Sequence, residues 1–204
     1  MFDEQSWEER YRAHPRMWSG RPNAALVAPV EDLPPGTALD AGCGEGGDAL
    51  WLAGRGWRVT AMDFATAALE RGRERAAALG VADRITWTHA DLTRWTPGDD
   101  RYDLVSAMFV HLPGASMTSL VPRLADAVAP GGTLVVAGHD RSDEHLAAHR
   151  PDVPGMFFTA DELAALLDAS SWDVVAESRP RPPGGHEPTD LPVHDVVVVA
   201  RRRG

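Results

Sequence analysis

The chain contains very little cysteine: Cys43 is the single one among 204 residues. One cysteine forms no disulfide within a chain, and such sparse usage is typical of proteins in a reducing compartment. No apolar run approaches the roughly 20 residues needed to cross a bilayer. The polar, acidic start of the sequence also lacks the pattern of a secretory signal. We therefore expect a cytoplasmic protein with no membrane partner.

Positive charge is scarce as well, since 20 Lys and Arg face 30 Asp and Glu for a formal net charge of −10. Nucleic-acid phosphates demand a basic surface, so this balance argues against a nucleic-acid partner. Internal repeats and low-complexity segments are absent, and the length fits a single domain with a substantial core. We expect one domain over residues 1–204, acting as a monomer or a homodimer.

Near-continuous apolar segments alternate with segments of helical periodicity, starting with a strand at Thr37. This alternation predicts a parallel sheet covered by helices on both faces. No helical segment separates the last two strands, "WDVVAES" and "HDVVVVARR", so they are expected to pair antiparallel. The predicted fold is a three-layer α/β fold with a mostly parallel seven-stranded sheet and an antiparallel last strand.

Three parts are expected along the chain: a helical cap at 1–34, a core at 35–140, and a lid segment with the terminal strand pair at 141–204. In the cap, Asn23 is a plausible N-cap for a helix ending at Val30. Further helices are expected at 115–129 and 159–169. In such folds, ligands bind beyond the carboxyl ends of the strands, which makes those ends the candidate site.

The stretch "TALDAGCGEGGDALWLA" at 37–53 joins a strand to a helix through a glycine-rich turn. Gly42, Gly44 and Gly47 satisfy G-x-G-x-x-G, the dinucleotide-binding fingerprint. Gly42, Gly44 and Gly46 equally satisfy G-x-G-x-G. Both patterns bring backbone close to a ligand where a Cβ would interfere. The glycines alone therefore leave the ligand open.

Acidic residues around the turn narrow the choice of ligand. Asp40, two residues before the first glycine, would repel a pyrophosphate but suits a ligand that carries positive charge. Asp91, in "HADL" at the end of the third strand, is placed to accept a hydrogen bond from an exocyclic amine. Asp63, at the end of the second strand, serves either ligand by binding ribose hydroxyls.

In their order along the chain, the strand-end acid, the glycine turn, the second-strand acid, "HADL", "YDLV" and "APGGTLVV" resemble the class I S-adenosylmethionine-dependent methyltransferases. The N-terminal "WEERYRAHPRMWSGRPN" resembles the small tellurite-resistance and thiopurine methyltransferase-like branch. The resemblance implies a Rossmann-like methyltransferase fold, S-adenosyl-L-methionine as cofactor, and methyl transfer as the reaction.

The resemblance also implies roles for individual residues at the methionine and ribose parts of the cofactor. Asp40 would line the methionine part together with Gly42, Gly44 and Gly46. Asp63 would hold the ribose hydroxyls.

At the adenine, Phe64 would pack on the ring, and Asp91 and Leu92 would meet its edge. Met108 would lie near the sulfonium, and the outer wall beside it would be formed by Trp18 and Arg21.

Purely structural roles remain open for the three acids at the strand ends. Asp40 could simply terminate its strand or cap the next helix, and Asp63 could serve only as an N-cap. Asp91 could cap a short turn.

Methyl transfer is an in-line displacement that mainly requires alignment of the reactants, and a general base acts only where the acceptor arrives protonated. Histidine suits that role near neutral pH. The candidates are His111, after the fourth strand, and His139, after the fifth. His145 and His149 stand at helical spacing, but without a supporting ligand pattern we expect a solvated lid helix and no metal.

No added domain that could read a macromolecule is present, so the favoured acceptor is a small molecule with an N, O or S nucleophile. Segments 139–158 and 179–192 are expected to cover it, and residues such as Met108 and Phe109 give an apolar lining. Two alternatives remain: a cofactor-binding module without turnover, and, less favoured, an NAD-dependent oxidoreductase.

Overall fold

The structure is a computed structural model of the chain, and it describes residues 3–110, 112, 117–142, 156–181 and 193–204. Seven strands occur within these ranges: β1 (Thr37–Ala41), β2 (Arg58–Asp63), β3 (Ile85–His89), β4 (Tyr102–Met108), β5 (Val128–His139), β6 (Trp172–Pro180) and β7 (His194–Arg202). The helices of the same ranges are α1 (Glu4–Ala13), α2 (Ala24–Val30), α3 (Gly47–Gly54), α4 (Thr66–Ala78), α5 (Met117–Asp126), α6 (Ala160–Ala164) and a 3₁₀ turn at Ala82–Arg84. Across this described part of the chain, none of the helices has the length and apolar character of a membrane span.

The strands form one seven-stranded sheet in the order β3-β2-β1-β4-β5-β7-β6. The five strands from β3 to β5 are parallel, whereas β7 runs antiparallel to both of its neighbours, β5 and β6. The predicted mostly parallel sheet with an antiparallel last strand is therefore confirmed. Because β7 runs antiparallel to β5, the first residues of β7 lie at the edge of the sheet where the parallel strands end.

Apolar side chains cover both faces of the sheet. Leu39 of β1 belongs to a cluster with Leu120 of α5 and Leu163 of α6, whereas the adjacent Ala38 belongs to a cluster with residues of α2 and α3. Successive residues of a strand point to opposite faces, so one buried run supplies both clusters. The result is the predicted three-layer arrangement, with helices packed on both faces of the sheet.

Two helices are shorter than the sequence predicts. The helix expected at 115–129 spans Met117–Asp126, with residues 115 and 116 outside the described residues. It ends early because β5 already begins at Val128 and pairs with β4 there. The helix expected at 159–169 begins with a capping box between Thr159 and Glu162, but it gives way to turns after Ala164.

The indole of Trp87, on β3, fills a gap between α4 and the glycine turn. A Cβ added at Gly72 of α4 would lie 2.3 Å from the indole ring, and so would a Cβ added at Gly46. The sequence places Gly72 on the apolar stripe of its helix, and the structure shows why that position has no side chain. Trp87 therefore packs against both the glycine turn and α4.

Gly72→Ala tests this close packing. Alanine favours a helix over glycine by about 1 kcal/mol, but here the added methyl group must displace the indole. We expect a net loss of about 1–3 kcal/mol in the free energy of unfolding, measured by urea denaturation.

Gly54→Ala, at the end of α3, is the matched control because its added Cβ meets nothing within 4 Å. It should leave stability unchanged or raise it by up to about 1 kcal/mol. A Gly72→Ala protein as stable as the wild type would contradict the packing described.

Candidate functional site

The glycine turn after β1 has one repeated backbone feature. Gly42, Gly44 and Gly46 have φ angles of +75°, +53° and +77°, a conformation that residues with a Cβ rarely adopt. Gly47 begins α3 without a positive φ. The three residues of the G-x-G-x-G pattern thus share one conformation, whereas Gly47 is required by close packing, since an added Cβ would lie 2.9 Å from a backbone oxygen.

Asp40 lies directly below this turn, at the end of β1, and is only 1% exposed. Its Oδ1 atom accepts a long hydrogen bond of 3.4 Å from the Ser106 hydroxyl. Its Oδ2 atom is buried without a hydrogen-bond partner among the described residues. Burying an unpaired carboxylate oxygen is costly, so this atom marks a place where a ligand donor would be stabilising.

Asp63, at the end of β2, reaches the same turn. Its carboxylate accepts hydrogen bonds from the backbone N–H groups of Gly44, at 2.8 Å, and Ala65, at 2.9 Å. The contact to Ala65 closes a local turn and is not the N-cap role that the sequence left open, because Ala65 itself is the N-cap of α4 and that end has no side-chain capping hydrogen bond. The contact to Gly44 goes further, because it fixes the turn itself across 19 residues of sequence.

Asp48, in the first turn of α3, is a third buried carboxylate, and the sequence analysis did not select it. It accepts hydrogen bonds from the backbone and side-chain nitrogens of Asn23, both at 2.7 Å. Asn23 does occupy the N-cap position of α2, as predicted, but its side chain makes no capping hydrogen bond. The predicted cap is thus correct in position but wrong in mechanism. The Asn23 side chain is oriented by its hydrogen bond to the carboxylate of Asp48, and hydrogen bonds to an ionised acceptor are the stronger kind.

The three carboxyl groups influence one another. Burial raises the pKa of Asp40 well above its usual range, and the nearby charges of Asp48 and Asp63 raise it further. Burial also raises the pKa of Asp48 and Asp63, although the hydrogen bonds donated to them act in the opposite direction. The turn therefore covers three clustered acidic groups, whose ionised forms a ligand with cationic groups would stabilise and a pyrophosphate would destabilise.

Glu45, inside the turn, joins it to the N-terminal segment. Its buried carboxylate accepts from the backbone N–H groups of Met17 and Trp18, at 3.4 and 3.3 Å, and from Arg71 of α4, at 2.8 Å. This role has no signal in the sequence, since an acidic residue between glycines is expected to be solvent-exposed. Glu45 holds the segment after α1 in place beside the glycines.

Trp18 and Arg21 reach the turn in different ways. The Trp18 indole N–H donates to the Tyr11 hydroxyl at 3.0 Å, and that hydroxyl oxygen lies 2.9 Å from the Cβ position of Gly44. Trp18 itself is 42% exposed. Arg21 is exposed, and its backbone carbonyl oxygen lies 2.9 Å from the Cβ position of Gly47. The predicted outer wall is therefore next to the turn, with Tyr11 as an additional member.

The remaining predicted cofactor residues lie at the ends of neighbouring strands. Asp91 closes a turn by accepting from the backbone N–H and hydroxyl of Thr93, at 2.8 and 2.6 Å. The next residue, Leu92, is buried with its Cδ1 atom 3.7 Å from the Cβ position of Gly42. Phe64 is half-buried after β2, and Met108 is buried at the end of β4. The turn-capping alternative for Asp91 is thus present in the structure.

His139 ends β5 and is 6% exposed. Its ring centre lies 5.2 Å from that of Phe109 and 6.1 Å from that of Phe157. Its Nδ1 atom lies 2.7 Å from Nη2 of Arg181 and 3.3 Å from Oδ1 of Asp195. The other candidate base, His111, lies outside the described residues, as do His145 and His149.

Arg181 and Asp195 form a bidentate ion pair, with distances of 2.9 Å from Nε to Oδ2 and 2.6 Å from Nη2 to Oδ1. The sequence analysis missed both residues. They stand far from His139 along the chain, and only the β5–β7 register, which pairs His139 with Asp195, brings them together. A sequence pattern carries no local signal for such a register.

Phe109, directly after β4, has a φ of +54° and is the one non-glycine residue with positive φ in the described part of the chain. Such a conformation costs on the order of 1–3 kcal/mol for a bulky residue. A hydrogen bond of 2.8 Å from its N–H to the carbonyl of Ala137 holds it, and the Arg181 guanidinium lies 5.8 Å from its ring centre. Strain retained at a strand end makes the neighbourhood of His139 a candidate for a functional role.

Asp40→Asn tests the cost of the buried charge. Because the pKa of Asp40 is raised in the folded protein, its ionisation destabilises the fold as pH rises above the ordinary value of 3.8. We expect the variant to be more stable than the wild type near about pH 7, by more than the roughly 0.5 kcal/mol typical of neutral substitutions. The advantage should shrink as pH falls toward about 4, where the wild-type carboxyl is protonated.

Denaturant titrations at several pH values measure this difference. Asp100→Asn, at an exposed position before β4, is the control and should show no comparable gain. If Asp40→Asn were less stable than the wild type throughout the neutral range, the carboxylate would be stabilising and the assignment of an unpaired charge would be wrong.

Several known proteins are similar to this chain in sequence or in fold. The methyltransferase domain family model matches residues 38–132. The chain is 31% identical over 169 residues to the 2-heptyl-1-hydroxyquinolin-4(1H)-one methyltransferase of Mycobacteroides abscessus. The aligned region covers 81% of this chain and 72% of that relative. It is 36% identical over 127 residues to the trans-aconitate 2-methyltransferase of Rhizobium meliloti, covering 61% of this chain but 46% of that protein's length.

Among solved structures, TehB of Haemophilus influenzae superposes with a TM-score of 0.71 over 98% of this chain and 68% of TehB, at 16% identity. That likeness concerns the fold, and the finer placement in the tellurite-resistance and thiopurine branch stays a prediction. The M. abscessus relative, in contrast, matches most of both sequences, in agreement with the motif order and the sheet order. The chain belongs to the class I S-adenosylmethionine-dependent methyltransferases.

Proposed function

We propose that the protein transfers a methyl group from S-adenosylmethionine to a small-molecule acceptor bound at the carboxyl edge of the sheet. The observation that carries the proposal is the buried Oδ2 atom of Asp40 beneath the left-handed glycine turn, which has no hydrogen-bond partner in the described part of the chain. The family's cofactor carries an ammonium and a sulfonium group, and such a ligand suits a site with concentrated negative charge. When bound, it supplies a methyl group activated by the positively charged sulfur.

For the methionine part we propose Asp40 with Gly42, Gly44 and Gly46 as the binding residues. The buried carboxylate offers an acceptor for the ammonium, and the glycines leave room for close approach of the backbone. Asp63 is proposed to bind the ribose hydroxyls. Each of its oxygens accepts one backbone hydrogen bond, and a carboxylate oxygen has capacity for a second.

For the adenine we propose packing against Phe64, with Asp91 and Leu92 at its edge. Met108 is proposed to lie near the sulfonium, and the outer wall is assigned to Trp18 and Arg21. The anchoring of the N-terminal segment by Glu45 supports that last assignment, because it holds Trp18 beside the turn.

The acceptor is proposed to occupy the space beyond β4 and β5, between the cofactor and His139. Its described surroundings are mostly apolar: Phe109 and Phe157 lie beside the ring of His139, and Met108 is buried at the end of β4. The M. abscessus relative is named for a hydroxyquinolone with an alkyl chain, which favours an apolar, aromatic acceptor with a nucleophilic oxygen. His111, after β4, stays a second candidate at this edge.

We place the protein in the cytoplasm, which its low cysteine content supports. Its partner there is the small-molecule acceptor, and the negative net charge disfavours nucleic acid. A monomer or a homodimer is consistent with this assignment.

Calorimetric titration with S-adenosylmethionine, S-adenosylhomocysteine and NAD tests the cofactor assignment. We expect binding of the first two and none of NAD. Asp63→Ala should weaken binding of S-adenosylmethionine about ten- to hundred-fold, because hydrogen bonds to a charged group are lost.

The control is Asp83→Ala, an exposed residue of the 3₁₀ turn before β3, which should bind like the wild type. Full affinity in Asp63→Ala would remove the ribose role, and binding of NAD alone would overturn the cofactor assignment. Tight cofactor binding without turnover across a broad acceptor panel would favour the non-enzymatic module instead.

A further inference from the structure

The contacts of Arg181 determine where His139 carries its proton. Nη2 of Arg181 lies 2.6 Å from Oδ1 of Asp195 and 2.7 Å from Nδ1 of His139. A guanidinium nitrogen donates hydrogen bonds and never accepts them. The contact at 2.7 Å directs a hydrogen of Nη2 at Nδ1, so Nδ1 must present a lone pair. A neutral imidazole with a lone pair on Nδ1 carries its single proton on Nε2.

The opposite arrangement, with Nδ1–H donating to Asp195, fits the geometry less well. That contact is 3.3 Å, at the long end for a hydrogen bond, and it would direct the Nδ1 hydrogen into a region already filled by a donor. The Asp195 carboxylate is also engaged by both Nε and Nη2 of Arg181. Burial acts to raise the pKa of Asp195, and its contacts with Arg181 and with His139 together lower it below its usual value.

We propose that Arg181 and Asp195 are positioning residues that fix His139 as the Nε2–H tautomer, so that it meets the acceptor as a hydrogen-bond donor and not as a general base. This inference rests on the proposed function. It names the acceptor class: small molecules whose nucleophilic oxygen is already ionised in solution, such as a carboxylate, an acidic phenol or an N-hydroxy heterocycle.

The chemistry of such an acceptor balances without a base. The oxygen loses its proton to water before it binds. Its lone pair forms the new bond to the methyl carbon while the carbon–sulfur bond breaks with its electron pair going to sulfur. The products are a neutral methyl ether or ester and a neutral thioether, and no proton passes to the protein.

The setting of His139 suits a donor to an anion. The ring is buried between Phe109 and Phe157, and a hydrogen bond in such low-dielectric surroundings is electrostatically stronger than in water. The guanidinium behind Nδ1 polarises the ring further in the same direction. A base, in contrast, would have to become an imidazolium whose Nδ1–H points at the Arg181 guanidinium 2.7 Å away, although the Asp195 carboxylate lies 3.3 Å from the same atom.

Nitrogen-15 NMR of the histidine-labelled wild-type protein, without cofactor or acceptor, tests the tautomer directly. The resonances of His139 are identified by their loss in His139→Gln. We expect the two-bond ring correlations of an Nε2–H tautomer for this residue. An Nδ1–H tautomer would overturn the proposal, and the measurement does not depend on methyl transfer.

Arg181→Met extends the test by removing the donor to Nδ1. The proton of His139 should then shift toward Nδ1, where Asp195 can accept it. Arg179→Met is the matched control, because Arg179 is two residues away and pairs with Glu177 instead. An unchanged His139 spectrum in a folded Arg181→Met protein would show that Arg181 does not set the tautomer.

Turnover distinguishes donor from base. With 2-heptyl-1-hydroxyquinolin-4(1H)-one as probe, His139→Gln should keep kcat within about tenfold of the wild type, because the glutamine amide also donates, whereas a lost general base costs about 10²–10⁴-fold. His139→Phe should lose activity. A loss of about 10²-fold or more in His139→Gln, with cofactor binding intact, would overturn the donor role. Cofactor binding is measured separately, so failure of the methyltransferase proposal is recognisable on its own.

Discussion

The site is organised around negative charge buried under a turn that only glycine can form. Asp40 lies near the end of β1, and after Ala41 the chain leaves the sheet through a turn with three left-handed glycines to begin α3. Asp63 fixes the middle of that turn through Gly44, and Glu45 ties its outer side to the N-terminal segment. The turn, the cap and the first helix of the core thus depend on carboxylates whose burial is unfavourable in itself.

The neighbours of this charge compensate it unequally. Asp48 receives two hydrogen bonds from Asn23, and Asp63 receives two from the backbone, whereas one oxygen of Asp40 receives none. Sites that bind ions commonly retain a polar atom without a hydrogen-bond partner, because a group whose hydrogen bonds are all made within the protein gains little from a ligand. The protein is thereby held in a state of lower stability that binding of a cation relieves.

Much of the cofactor half of the site could be predicted from the sequence, because its residues lie in short, ordered motifs at strand ends. Asp40, Asp63 and the glycines are examples, and the structure places them together. The acceptor half could not be predicted in the same way. Arg181 and Asp195 meet His139 only through the pairing of β7 with β5 and β6. The sequence of one strand does not indicate which strand pairs with it or in which register. Asn23 shows a similar limit, since its capping signal was correct in position but its side chain found a charged acceptor.

The insertion of β7 between β5 and β6 divides the site between two parts of the chain. The residues proposed for the cofactor come from the N-terminal segment and the strand ends of β1 to β4, whereas two of the groups around His139 come from the ends of β6 and β7. A substitution at Arg181 or Asp195 therefore alters the acceptor side without entering the glycine turn. In evolutionary terms, the two terminal strands can diverge toward new acceptors while the cofactor half is retained, which makes this strand pair the natural target for redirecting the enzyme.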